Sequence, residues 1–182
     1  MKISKQKLYI KYFSFFIFAL VVLGGCESES VNTPLYEGES LTIGIIGNAP
    51  KVREENIVFK KITFKEIENV KRLSAEYDGV FIMKENLSEA ANSKYVKVYL
   101  NSSIPFFFIE SSKSYMPFIN EKLSYENSPE THSDNYATGI LKSGDKIKTW
   151  GYGLFNDKVN ETNIKAAYSR IFSTIESIKA KK

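Results

Sequence analysis

The chain has 182 residues, 43% of them hydrophobic and 25% charged, which fits one globular domain with appendages and excludes a disordered chain. A formal net charge of +4 suggests an anionic partner, but its distribution argues against one. Four of the 25 basic residues, Lys2, Lys5, Lys7 and Lys11, lie in the first 25 positions, which hold no acid, so the rest of the chain balances its 21 acidic residues. Without clustered Lys or Arg in the body to displace counterions from phosphates, nucleic acid is not expected as a partner. Lys179, Lys181 and Lys182 read as a charged last helical turn and tail.

The basic start runs into an apolar stretch, Tyr12 to Leu23, and then into Gly24 and Gly25. Basic, apolar, then small is the layout of a secretory signal. Counted to Gly25 the run is about 14 residues, short of the ~20 that a helix needs to span hydrocarbon. Leu23-Gly24-Gly25-Cys26 resembles the lipobox of bacterial prolipoproteins, and the resemblance covers the first 26 residues. It implies cleavage after Gly25 and a diacylglyceryl thioether on the sulfur of Cys26. Two acyl chains at ~0.8 kcal/mol per buried CH₂ make a stable anchor, whereas one is marginal. The whole chain is similar in this respect to small bacterial lipoproteins held on the extracytoplasmic face of the cell membrane. Cys26 is also the only cysteine, so no disulfide forms within the chain. Three regions are expected: a signal peptide over 1–25, a flexible acidic and Ser-rich tether over 26–40, and a single domain over 41–182. As a coil of about 14 residues, that tether would span on the order of 20 Å.

Leu41 to Gly47 is a near-continuous apolar run ending at Gly47-Asn48-Ala49-Pro50, the pattern of a buried strand meeting a loop. Ile57–Ile62 reads as a second strand. Thr63 and Glu66 fit a capping box, and Ile62 with Ile67 fits the hydrophobic staple around it. Asp78-Gly79 turns the chain into the all-apolar strand Val80–Met83. Asn86 with Glu89 marks a helix carrying Leu87, Ala90, Ala91 and Val98, although Val96, Val98 and Leu100 also alternate as a strand would. Ile104–Ile109 is the next strand, with Pro105 near its start, where a missing N–H is tolerated. Residues 121–135 read as a polar loop, and 136–142 with 146–154 as a hairpin about Ser143-Gly144-Asp145. A long amphipathic helix follows, capped by Asn160, with Ile164, Ala167, Tyr168, Ile171, Phe172, Ile175 and Ile178 on one face. The expected fold class is α/β, with a mostly parallel sheet covered by helices on both faces, plus a C-terminal β-hairpin and that helix.

Absences narrow the chemistry. His132 is the only histidine and lies in a polar stretch with Glu130 and Asp134. No Cys–His pair is available, multi-histidine and Cys-rich zinc sites are excluded, and no catalytic residue, metal or cofactor is expected. Gly44 and Gly47 lack the GxGxxG spacing of a dinucleotide site and the Gly-Lys-Ser/Thr of a P-loop; Gly44 reads as a close-packing position. Open α/β sheets bind ligands at the carboxyl ends of their strands. Those positions hold Asn48, Lys84 with Glu85, and Glu110-Ser111-Ser112-Lys113, so Asn48, Lys84, Glu110, Ser111 and Ser112 are the candidate ligand-binding residues. Trp150, Tyr152 and Phe155, spaced by Gly151 and Gly153, read mainly as cover for a sheet face. The expected protein is a monomeric, non-catalytic binding or accessory domain. The lipid on Cys26 would hold it to the membrane, near a membrane or cell-wall protein partner. The alternative is a small-ligand receptor or carboxylate-based hydrolase using the strand-end residues.

Overall fold

The computed structural model describes residues 30, 31, 33–130 and 135–181; Cys26 with its leader, His132 and Asp134 lie outside them. The segments expected as strands form β1 (Leu41–Ile46), β2 (Ile57–Lys61), β3 (Gly79–Ile82), β4 (Phe106–Ile109), β5 (Asn135–Ser143) and β6 (Lys146–Gly153). Helices α1 (Phe64–Ile67) and α2 (Val70–Glu76) join β2 to β3, and α3 (Leu87–Ala90) and α4 (Ser93–Asn101) join β3 to β4. The short α5 (Met116–Ile119) precedes the hairpin, and α6 (Glu161–Lys179) follows it.

The strands form one sheet in the order β2-β1-β3-β4-β5-β6. Pairings β1–β2, β1–β3 and β3–β4 are parallel, while β4–β5 and β5–β6 are antiparallel. The sheet is therefore mixed, not mostly parallel. The hairpin docks β5 on the open edge of Phe106–Ile109, an all-apolar strand whose unpaired backbone would otherwise invite association. Burial patterns alone did not encode that direction.

Local signals explain the elements. Thr63 and Glu66 form the capping box, with the Glu66 carboxylate accepting from Thr63 N at 2.7 Å. The helix expected after Asn86 is two helices. Asn92 takes an extended backbone (φ −67°, ψ 134°) and caps α4 by accepting from Lys94 N. Asn86 makes no cap and instead donates to Ile46 O at 3.4 Å. Val96, Val98 and Leu100 belong to α4, where Tyr95 and Tyr99 share the buried face at i, i+4. Gly44 lies where a Cβ would come within 2.6 Å of Ile62 Cδ1, so close packing accounts for it.

Alternate strand residues divide between two apolar clusters. Ile46, Val80, Ile82, Phe106 and Phe108 pack with Ile67, Leu73, Leu87, Tyr99 and Phe118. Ile43, Ile45, Phe81, Phe107 and Ile109 pack with Tyr168, Ile171, Phe172 and Ile175 of α6. This division is why the central strands read as continuous apolar runs.

The second cluster also holds Tyr36, which is buried. Expected as part of a flexible tether, residues 33–39 instead lie against the body. Tyr36 N donates to the Glu54 carboxylate, Arg53 donates to Thr33 O at 3.2 Å and Pro34 O at 3.3 Å, and Glu39 N donates to Glu176 at 2.9 Å. An aromatic ring among polar neighbours was the unread signal, because burying it stabilises more than leaving it in water.

Candidate functional site

The strand-end residues do gather along one edge of the sheet, but they do not form one site. Lys84 Nζ stands 3.8 Å from Glu110 Oε2, an exposed pair that contributes little to stability. Asn48 N donates to Glu85 Oε1 at 3.3 Å. That same Glu85 oxygen would lie 2.7 Å from a Cβ at Gly47, whose φ of +117° also calls for glycine. Strand order reverses beside β1, where ligands of open α/β sheets bind; there the Glu85 carboxylate lies against Gly47 and the Asn48 N–H. Ser111 Oγ donates to Lys113 O and accepts from Lys113 N. Its hydroxyl thus holds a turn, while Ser112 N donates to Tyr125 Oη.

The open space lies one strand further along. Two hollows of about 300 and 490 Å³ share Glu110, Tyr136 and Val159; Ser111 and Ser112 border the first, and Lys51, Glu161 and Lys165 the second. Glu110 ends β4 in the left-handed region at φ 55°, with its N–H donating to Tyr136 O at 2.6 Å. A non-glycine residue there costs about 1–3 kcal/mol and persists only where its surroundings impose it. Tyr136 and Tyr168 place their hydroxyls 3.4 Å apart. Burial pushes both phenols up; the Glu110 charge adds to this in each case, and for Tyr136 the bond from Tyr168 opposes it. Glu161 is held below the usual carboxylate range by its bond to Lys165, 2.6 Å away.

A larger cavity, about 610 Å³, lies at the opposite end of α6, between that helix and the hairpin. Lys148 and Lys181 border it with Trp150, Ser173 and Ser177, and no acid lines it. Lys142 also borders it, at a position paired with Ile147 on the sheet face opposite that of Lys148 and Trp150. Trp150 is half-buried with its ring 6.4 Å from that of Phe107, and Tyr152 is buried beside it. The expectation of sheet cover thus fits Tyr152 more fully than Trp150, whose ring also forms a cavity wall; Phe155 stays exposed. Sequence reasoning missed this site because its lysines are far apart in the chain. The available signal was the alternation Lys146, Lys148, Trp150, Tyr152, which puts those side chains on one face of β6.

Among the described residues no group of three or more His, Cys, Asp or Glu is arranged to hold a metal ion, and no helix is long and apolar enough to cross a membrane. Comparison with protein-family models, curated proteins and solved structures finds no significant match.

Proposed function

We propose that the protein is an exported, monomeric lipoprotein, anchored through Cys26, that works as a non-catalytic binding domain for an acidic glycan in the cavity between α6 and the hairpin. The observation that carries this reading is that Lys148 and Lys181 border a cavity walled by Trp150 and hydroxyls, with no acid in its lining. Ammonium groups attract the ligand's charge, serine hydroxyls exchange hydrogen bonds with its own, and the indole offers a face on which a sugar ring stacks. Helices covering both faces of the sheet would make this a rigid platform, a reading supported by the two apolar clusters. Trp150→Ala is expected to weaken binding of an acidic oligosaccharide about tenfold, and Lys148→Ala several-fold, with affinity falling as salt screens the lysines. Calorimetric titration over a salt series tests this. Unchanged affinity in both variants, or preference for nucleic acid over acidic sugar, would sink the reading.

The left-handed backbone of Glu110 favours a second reading, in which the strand-end hollows receive a small molecule whose cationic group meets that carboxylate. The hydrolase alternative fits less well. Paired-carboxylate hydrolysis wants one acid with a raised pKa, and Glu161, which borders the second hollow with Glu110, is lowered. Glu110→Gly should leave the fold between unchanged and about 1 kcal/mol more stable, since glycine adopts positive φ freely, while abolishing any amine binding found by thermal shift. A loss of stability beyond about 1 kcal/mol would show that the glutamate is there for structure.

A further inference from the structure

The position at which the chain enters the body limits how far Cys26 can lie from it. Val31 N donates to Asn163 Oδ1 at 3.3 Å, so the path from Cys26 to the folded body is only the five Cα steps to Val31. Fully extended, these reach at most ~18 Å, well short of what a free tether to residue 40 would allow. Asn163 is buried on the first turns of α6, and its Nδ2 donates to Phe155 O at 3.2 Å and Lys158 O at 3.0 Å. One side chain therefore ties the anchor-proximal chain to the loop between β6 and α6. That loop turns through two consecutive left-handed residues, Asn156 (φ 47°) and Asp157 (φ 53°). It leaves Phe155 36% and Val159 79% exposed, and Val159 is the most exposed large apolar side chain among the described residues. Val31, Phe155 and Arg170 also border one shared hollow, and Lys158 is exposed within the loop beside Asp157.

We propose that the loop 154–159 seats the domain on the bilayer that holds the lipid of Cys26. In this arrangement Phe155 and Val159 enter the boundary between headgroups and acyl chains, with Lys158 and Arg170 facing anionic headgroups. The proposal rests on the reading of Cys26 as lipidated. With the N-terminal end of α6 against the membrane, the lysine-lined cavity lies toward its other end, about 25 Å along the helix at 1.5 Å per residue.

The test uses the full chain, produced with its own leader, purified and reconstituted into vesicles of phosphatidylcholine and phosphatidylglycerol brominated in the upper acyl chain. In a Trp150→Phe background, single tryptophans are placed by Phe155→Trp, by Val159→Trp, and by Ile147→Trp on the exposed hairpin edge. Intact mass reports separately whether Cys26 begins the mature chain and carries the diacylglyceryl group. With the lipid present, fluorescence is expected to fall by about half or more at positions 155 and 159 and by about a tenth or less at 147, because bromine quenches only at acyl-chain depth. Equal quenching at all three positions, or none at 155 and 159 on a lipidated chain, overturns the seating and leaves the anchor standing. A mature chain without lipid on Cys26 overturns both.

Discussion

Phe81→Ala is expected to destabilise the domain by about 4 kcal/mol, the range seen when a buried phenylalanine is truncated and its cavity cannot collapse. The position explains the size. Phe81 is fully buried in the middle of β3, and its ring lies 5.6 Å from that of Phe107, 5.9 Å from Tyr168, 6.1 Å from Phe172 and 6.0 Å from Phe59. Its contacts thus join β3 to β2, β4 and α6, and truncation removes a partner from all three at once. Native domains hold roughly 5–15 kcal/mol in total, so this one change consumes much of the margin. Val58→Ala on the exposed edge strand β2 should shift stability by no more than about 0.5 kcal/mol. Denaturant midpoints of the two variants check the contrast. A Phe81→Ala loss below about 1.5 kcal/mol would mean that the aromatic cluster is loosely packed or relaxes to fill the space.

The same residues show why the strands were legible and their directions were not. Val80-Phe81-Ile82 and Phe106-Phe107-Phe108 are apolar at both parities because each face of the sheet packs against its own cluster. Burial on two faces is therefore written in the sequence. Whether a neighbouring strand runs parallel or antiparallel is written in backbone pairing, which any side chain tolerates. The hairpin was read correctly from Gly144, yet its placement beside β4 in an antiparallel sense was not. Short-range caps fared likewise: Thr63 with Glu66 was legible within four residues, whereas Asn86 lost its capping role to a bond with Ile46, forty positions away.

Site residues divide along the same line. Glu110, Ser111 and Ser112 were placed at an opening by their position after a strand, and they do border one. Asn48 satisfied the same rule but borders neither of the two strand-end hollows, and its N–H is bonded to the Glu85 carboxylate. Lys148 and Lys181 border one cavity only because β6 and the end of α6 are adjacent in space. A linear charge count sees them as two scattered cations in a neutral body.

Glu54→Ala is expected to cost about 3 kcal/mol and to release residues 33–39 from the body. Glu54 is a buried carboxylate, 6% exposed, and accepts from Tyr36 N, Arg53 N at 3.0 Å and the Ser169 hydroxyl. Arg53 donates to that same hydroxyl at 2.6 Å and to Thr33 and Pro34. Cation and anion are thus joined through Ser169, and the segment 33–39 bonds to both. Removing the carboxylate strands the N–H donors of Tyr36 and Arg53 in a site that water does not readily reach, while the Ser169 hydroxyl keeps Lys165 O as an acceptor, and it leaves the Arg53 charge without its counterpart. Breaking one side of a buried charged network costs several kcal/mol, more than a neutral hydrogen bond contributes. Ser169→Ala keeps both charges and should cost nearer 1 kcal/mol. Amide hydrogen exchange locates the effect. In Glu54→Ala the amides of Tyr36 and Glu39 should lose protection far more than those of β1 or β3, because local release comes before global unfolding. If both regions lose protection equally, the carboxylate supports the whole core, and the short reach from Cys26 must depend on Asn163 alone.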